Sequence, residues 1–166
     1  MLAVIFPTDN SERLLAHSLA TLVPAVVDGL VRRVAVIDSG STDDTALVAE
    51  GAGCSFHPAA EIECAVTGLN APWLLILQPG ALLPDGWVDR VRMHVEKHKG
   101  PAQFMTSHDG RLGGLLQLFG TKRKLDAGLL IERQQFVSLL RDGVKLEDMP
   151  QRLKPIRLKQ VVLAVP

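Results

Sequence analysis

Asp38 closes an apolar, β-branched run, Val34-Ala35-Val36-Ile37, and opens the polar stretch Ser39-Gly40-Ser41-Thr42-Asp43-Asp44-Thr45. A short continuous apolar run is what a strand covered on both faces requires. An acid at its carboxyl end stands where open α/β sheets receive their ligands. Gly40 permits a tight turn and close approach of backbone to a ligand. Ser41 with Asp44 three residues on has the form of a capping box, and a helix start offers free N–H groups. The chemistry available to such a stretch is an acid at the ligand end of the sheet and donation to a ligand from the backbone of the turn. A well-capped strand-to-helix turn without a ligand is the alternative.

Those residues need a sheet to position them, and the order of elements supplies one. Leu2 to Phe6 reads as a first strand, ended by Pro7-Thr8-Asp9-Asn10. Thr8 or Asn10 can cap a helix to about Val23, with Leu14, Leu15, Leu19 and Leu22 on one face and Pro24 ending or kinking it. Strand two, Val34 to Ile37, is followed by a helix from about Asp43 to Glu50, stopped by Gly51 and Gly53. Cys54 to Phe56 forms a short third strand, and Glu61 to Leu69 a third helix. Trp73 to Leu77 is a central apolar strand broken by Gln78-Pro79-Gly80, after which Asp85 or Gly86 opens a helix to about His98 with Trp87, Val91 and Val95 at spacing four. This β-α alternation predicts an α/β fold with a mostly parallel, doubly wound sheet and helices on both faces.

After Lys99-Gly100-Pro101 the rhythm changes. Strands are expected at Gln103 to Thr106, Leu129 to Ile131 and Ile156 to Val165, with helices at Gln134 to Leu140 and Glu147 to Leu153 and a turn at Ser107 to Gly110. We therefore expect one domain over 1–166, with a smaller mixed portion at 101–166 built against 1–100. The apolar, glycine-rich segment Leu112 to Phe119 reads as packing on the sheet, with an acceptor loop, a peripheral membrane contact or a dimer patch as alternatives.

Composition narrows the function classes. The 166 residues are 47% hydrophobic and 22% charged, as in a soluble globular protein. Lys plus Arg and Asp plus Glu are 18 each, so net charge gives no argument for a nucleic-acid partner. Two cysteines without a CxxC, and the lack of a basic flank before Leu2 to Phe6, suggest reduced thiols and a cytoplasmic setting. Cys54 reads as a small core residue. His17, His57, His94 and His98 show no ligand-like spacing with acids and are assigned surface or helix-face roles. No GxGxxG follows the first strand and there is no Walker A lysine, which argues against a phosphate-handling Rossmann-like domain. Asp38 also lacks the paired acids of a phospho-acceptor receiver.

Four stretches in order resemble the inverting glycosyltransferases of family 2, which have the GT-A fold. They are Val4 to Asn10, Ile37 to Thr45, Ala71 to Leu77 with Leu82 to Trp87, and Leu146 to Leu153. The segment Asp126 to Ile131 is similar to the one that precedes the late Glu-Asp motif in small bacterial members. The resemblance spans about residues 4 to 153. It implies a nucleotide-sugar donor, an unspecified acceptor, and transfer with inversion, with 1–100 as the nucleotide-binding half and 101–166 as the acceptor-side half. By position, Asp38 is similar to the acid that accepts a hydrogen bond from the nucleoside base, with Pro7, Thr8, Asn10, Gly40 and Ser41 beside the nucleoside. Asp148 resembles the general base that deprotonates the acceptor hydroxyl, with Glu147 as its neighbour. A helix N-terminal acid is the alternative for Asp148.

The departures from the family pattern are as specific as the matches. Where the family has Asp-x-Asp to hold magnesium or manganese on the diphosphate, this chain has Gln78-Pro79-Gly80. Such cations want hard anionic oxygens, and one amide carbonyl is a poor substitute. Ala65 stands near a frequent family Arg, and Ser39 replaces a common second acid. A metal is thus expected for the family while its ligands are missing, so a catalytically inactive nucleotide-binding or scaffold protein is the alternative function. Arg111 or Lys122-Arg123-Lys124 could neutralise a diphosphate, although a basic trio is more often a solvated patch. His108 and Asp109 are weak as a metal site.

Overall fold

The computed structural model describes residues 1–97, 100–106 and 125–164. The expectations for His98, the Ser107–Gly110 turn with His108 and Asp109, Arg111, Leu112–Phe119 and Lys122–Lys124 fall outside the described residues. So does the end of the last strand, after Ala164.

Strand β1 (Leu2–Thr8) leads through α1 (Glu12–Val27) to β2 (Val31–Asp38), and α2 (Thr45–Gly51) leads to β3 (Ser55–Pro58). A 3-10 turn and α3 (Ile62–Gly68) return the chain to β4 (Trp73–Ile76). Next come β5 (Ala81–Leu82), α4 (Trp87–Lys97), β6 (Ala102–Thr106), β7 (Leu129–Glu132) and α5 (Arg133–Arg141). A second 3-10 turn, Leu146–Asp148, runs into α6 (Met149–Leu153), and β8 (Ile156–Ala164) ends the described chain.

The strand order is β3-β2-β1-β4-β7-β6-β8-β5. Strands β3, β2, β1 and β4 are all parallel, β7 is antiparallel to both β4 and β6, and β6 and β8 are parallel. The two-residue β5 is an antiparallel appendage on β8 through Ala81 and Leu82, so the main sheet is best counted as seven strands. This is the GT-A-like, Rossmann-like α/β fold expected from the sequence, with helices on both faces. The chain winds from β1 to β2 to β3 and then crosses back to β4 on the other side of β1. Between β1 and β4, therefore, the winding reverses, which is where such sheets open a ligand crevice at the strands' carboxyl ends.

Side chains of successive strand residues alternate faces, and the core divides accordingly. Leu2, Val4 and Phe6 pack with Val36, Leu75 and Leu77 under Leu15 and Leu22 of α1 and Trp87 and Val91 of α4. Ala3, Ile5, Ala35, Ile37, Leu74 and Ile76 pack on the other face under Val66 of α3, Phe136 of α5 and Met149 of α6. Two polar links join α3 and α5 above that face: Arg141 Nε donates to Glu63 at 2.6 Å and Arg133 Nη1 to the Thr67 carbonyl at 3.0 Å.

Several boundaries differ from expectation for identifiable reasons. Helix α1 does not end at Pro24. It runs on to Val27 with the exposed proline inside it, and closes where Asp28 N–H donates to Pro24 O and Gly29, at φ +69°, to Val26 O. Pro24 sits in the final turn, where the ring can face solvent. Helix α2 begins at Thr45 and not Asp43, and the β3 strand is shifted to Ser55–Pro58. His94 is not a surface residue: it is buried, its Nε2–H donates to the Gly100 carbonyl at 2.8 Å, and its ring meets Trp73 edge-on. Cys54 is half-buried against the core, and burial pushes its thiol pKa up, in keeping with an inert packing role.

Candidate nucleotide crevice

Strand register brings Thr8 opposite Asp38 at the carboxyl ends of β1 and β2, with Pro7 opposite Ile37. The chain leaves both strands through short polar loops, so five of the expected residues converge. Asp38 is buried, at 7% exposure, and its carboxylate is fully engaged. Oδ1 accepts the Thr8 hydroxyl at 2.7 Å and the Ser41 hydroxyl at 2.5 Å. Oδ2 accepts the Gly40 and Ser41 backbone N–H groups at 2.9 and 2.7 Å. Four donors match the roughly four lone-pair sites of a carboxylate. Burial raises the pKa of Asp38, but the Ser41 and Thr8 hydroxyls and the two amides outweigh it, leaving the carboxyl below its ordinary value. Gly40, at φ +103°, supplies the left-handed turn that aims both amides at one oxygen.

Asn10 joins this cluster from the first loop. Its N–H donates to Ser41 Oγ at 2.8 Å, and its Oδ1 accepts from Thr42 N–H at 2.9 Å. It too is left-handed, at φ +45°, a conformation asparagine tolerates better than most residues.

Three residues that sequence reasoning did not single out complete the junction. Asp43 Oδ2 accepts Glu12 N–H at 3.1 Å, and Oδ1 accepts the Thr45 N–H at 3.1 Å and the Thr45 hydroxyl at 2.5 Å. The Thr45 hydroxyl in turn accepts the buried Ser11 N–H at 2.9 Å. The Thr45 hydroxyl is the chief reason that the Asp43 carboxyl also lies below its ordinary value. The expected capping box is therefore not what starts α2. Asp44 makes no side-chain capping bond, and the Ser41 hydroxyl is spent on Asp38. Asp43, two residues before Thr45, makes the aspartate turn that an Asp-x-Thr spacing allows, and that spacing was the available signal.

The expected metal corner is built differently. Gly80 is buried at φ +91°, and its N–H points into α1, donating to the Ser18 hydroxyl at 2.8 Å and the Leu14 carbonyl at 3.1 Å. A β-carbon there would lie 3.3 Å from Leu14 Cδ2. The Gln78 carbonyl accepts Ala81 N–H, and the Gln78 side chain is one neutral amide. A divalent cation needs several hard oxygens, commonly anionic, and these residues do not fit one. Among the described residues, no group of three or more His, Cys, Asp or Glu could hold a metal ion.

Glu147 and Asp148 lie in the 3-10 turn before α6, Glu147 exposed and Asp148 half-buried, with Asp148 N–H donating to Lys145 O. They belong to the second half of the chain and stand apart in sequence from the Asp38 cluster. A separate cleft of about 260 Å³ opens between Leu2, Leu30, Trp73 and Val95, at the amino ends of β1 and β4. It is at the wrong end of the sheet for a site at the winding reversal, so we place the candidate site at the carboxyl ends. No helix among the described residues is long and apolar enough to cross a membrane.

No protein-family model and no curated relative matches the sequence. Solved structures do match. Glucosyl-3-phosphoglycerate synthase from Mycobacterium tuberculosis, in complex with Mn2+, UDP and glucosyl-3-phosphoglycerate, superposes with a TM-score of 0.66 at 15% identity over 100% of this chain and 72% of that one. The same enzyme with Mg2+ and UDP gives 0.65 at 16% identity over 99% and 70%. Its complex with Mn2+, UDP-glucose and phosphoglyceric acid gives 0.66 at 15% identity over 100% and 72%. At such identities the likeness establishes the fold, and the chemistry has to be argued from the residues.

Proposed function

We propose that this chain binds a nucleoside diphosphate sugar in the crevice at the carboxyl ends of β1, β2 and β4, and transfers the glycosyl group to a hydroxyl acceptor with inversion, as a family 2 glycosyltransferase that has lost its metal motif. The observation that carries the proposal is the convergence of Thr8, Asn10, Asp38, Gly40 and Ser41 at the winding reversal of a fold shared with enzymes solved with UDP and UDP-glucose.

The nucleoside base takes the Asp38 edge, with Pro7, Thr8 and Asn10 beside it. A base N–H reaches Asp38 Oδ1 by replacing the Ser41 hydroxyl, which keeps the Asn10 N–H as its partner. Exchange of one donor for another keeps the buried carboxylate satisfied, and the freed O–H of the half-exposed Ser41 can turn to solvent or to the ligand. At the acceptor side Asp148 takes the proton of the acceptor hydroxyl. That oxygen bonds to the anomeric carbon from the face opposite the diphosphate, the anomeric C–O bond breaks, and the nucleoside diphosphate leaves with the electron pair. Glu147 is the neighbouring carboxylate. Arg111 and the Lys122-Arg123-Lys124 trio are the chain's candidates for neutralising the leaving group.

A second reading is favoured by one observation. The Gly80 N–H is committed to α1, and Gln78 is neutral, so the corner that would carry a cation is structural. On this reading the chain is a nucleotide-binding or scaffold protein without turnover. Hydrolysis of a UDP-sugar by wild type and by Asp148→Asn separates the two. A rate at least about a hundredfold lower in the variant supports the base. Equal rates in both leave only the binding protein.

A further inference from the structure

We infer that Asp43, which lies outside the expected nucleoside contacts, is the positioning residue of the nucleoside edge; the inference rests on the proposed nucleotide site. Three successive backbone amides of the β1–α1 loop, those of Asn10, Ser11 and Glu12, all donate to side-chain oxygens of the β2–α2 loop. Their acceptors are Ser41 Oγ, Thr45 Oγ1 and Asp43 Oδ2 respectively. Two of these three bonds depend on Asp43. It accepts Glu12 N–H itself, and its bond from the Thr45 hydroxyl turns that hydroxyl's lone pair toward Ser11 N–H.

Each of these amides lies at or before the start of α1, where no intrahelical carbonyl is available to it. Acceptors from the second loop therefore help fix where α1 begins relative to β2. Ser11 makes no side-chain capping bond for α1, and Asp44 makes none for α2. One carboxylate therefore serves the starts of both helices. The third bond, Asn10 N–H to Ser41 Oγ, is exposed, and it shares its acceptor with the Asp38 contact. Asp43 consequently acts on the base-reading edge through a short covalent and hydrogen-bonded path. With the two loops clamped, Asn10 holds Ser41, and the Ser41 backbone N–H on Oδ2 holds the Asp38 carboxylate in the orientation that a base N–H meets. Without the clamp, Thr8 still meets Asp38 and Thr42 N–H still meets Asn10 Oδ1, so the Asp38 turn keeps its place, but Ser11 and Glu12 no longer anchor the loop that presents Asn10 to Ser41. The expected loss is in discrimination between bases, since a carboxylate acceptor favours the N3–H of uracil over the N3 lone pair of cytosine.

The test uses calorimetry with UDP and with CDP on the wild-type chain, Asp43→Ala and Asp43→Asn, together with amide hydrogen exchange. Wild type is expected to prefer UDP over CDP by about tenfold or more, and Asp43→Ala to bring that ratio close to unity. Asp43→Asn falls between, because its carbonyl can serve Thr45 while its NH2 opposes Glu12 N–H. It is also the variant to use if Asp43→Ala does not fold. A merely structural role would lower UDP and CDP affinity in parallel and leave the ratio unchanged, which overturns the inference. If wild type binds neither nucleotide, the site proposal has failed, and exchange decides the clamp by itself. Loss of protection at Asn10 to Glu12 in the variant upholds it. Protection retained there overturns it.

Discussion

At the scale of single residues, Asp38 behaves as an internal anion whose charge the fold has already arranged to solvate. The strand-end acid, its glycine turn and the adjacent Thr8 were legible in sequence because each follows from local pattern. The second carboxylate, Asp43, was not, since its value depends on where the β1–α1 loop comes to rest. Two substitutions separate structure from binding here. In Asp38→Asn the carbonyl can keep the Gly40 and Ser41 amides, while its NH2 donates to the Thr8 and Ser41 hydroxyls, which can rotate to accept. Asp38→Ala takes the acceptor from the buried Thr8 hydroxyl and from the part-buried Gly40 and Ser41 donors, at a cost of about 1–3 kcal/mol. Chemical denaturation is expected to rank wild type near Asp38→Asn and well above Asp38→Ala, whereas both variants lose UDP, since neither retains the carboxylate oxygen at which a base N–H replaces the Ser41 hydroxyl. The pH dependence follows from the same bonds. The folded pKa values of Asp38 and Asp43 are depressed, so the unfolded chain binds more protons in the acid range and stability rises with pH there. Their contribution is complete above the ordinary carboxylate pKa of about 4 and is lost as pH falls through the lower folded values. Thermal melts of wild type should therefore be flat near neutrality and fall in acid, with a shallower fall for Asp38→Asn.

At the scale of elements, continuous apolar runs announced β1, β2 and β4 because all are covered on both faces, and leucine periodicity announced α1. The two-residue β5 carries no such pattern, and α1 outlasted Pro24 because a proline facing solvent in a last turn removes little. One element boundary makes a sharp demand on its sequence. Gly128, at φ +62°, turns the chain into β7, and a β-carbon there would lie 2.9 Å from Leu77 Cδ2 and 3.3 Å from the Ile76 carbonyl. Its N–H donates to Leu125 O, and Phe104 N–H reaches Ala127 O alongside. The turn thus sets β7 between β4 and β6, the one antiparallel insertion in the main sheet. Left-handed strain and overpacking each cost on the order of 1–3 kcal/mol. Gly128→Ala is expected to lower the unfolding free energy by about 2–4 kcal/mol in urea melts, with UDP affinity of the folded fraction preserved. An unchanged midpoint would mean that β7 is not held at this turn.

At the scale of the whole molecule, the sequence order of elements anticipated the doubly wound sheet and its helices on both faces, while the antiparallel placement of β7 required the long-range pairing that local pattern cannot encode. The winding reverses between β1 and β4, and the two sides of the candidate site differ in kind. The β2 side keeps a carboxylate, hydroxyls and amides in one connected cluster. The β4 side, at Gln78-Pro79-Gly80, is joined to α1 by a buried amide and offers a single neutral side chain. For a nucleoside diphosphate these walls predict recognition through the nucleoside, with no contribution from a divalent cation held by the described residues. Calorimetry with UDP should then give the same affinity in EDTA and in Mn2+, within about threefold. Introducing acids on this wall should not reverse this. An aspartate at position 80 would meet Leu14 in a left-handed backbone, so Gln78→Asp with Gly80→Asp is expected to lose stability by about 1–3 kcal/mol without gaining Mn2+ dependence. An increase in UDP affinity of tenfold or so on adding Mn2+ to wild type would refute this assignment of the β4 wall. It would require cation ligands from elsewhere in the chain, and alanine substitution of the acids and histidines outside the described residues would then identify them.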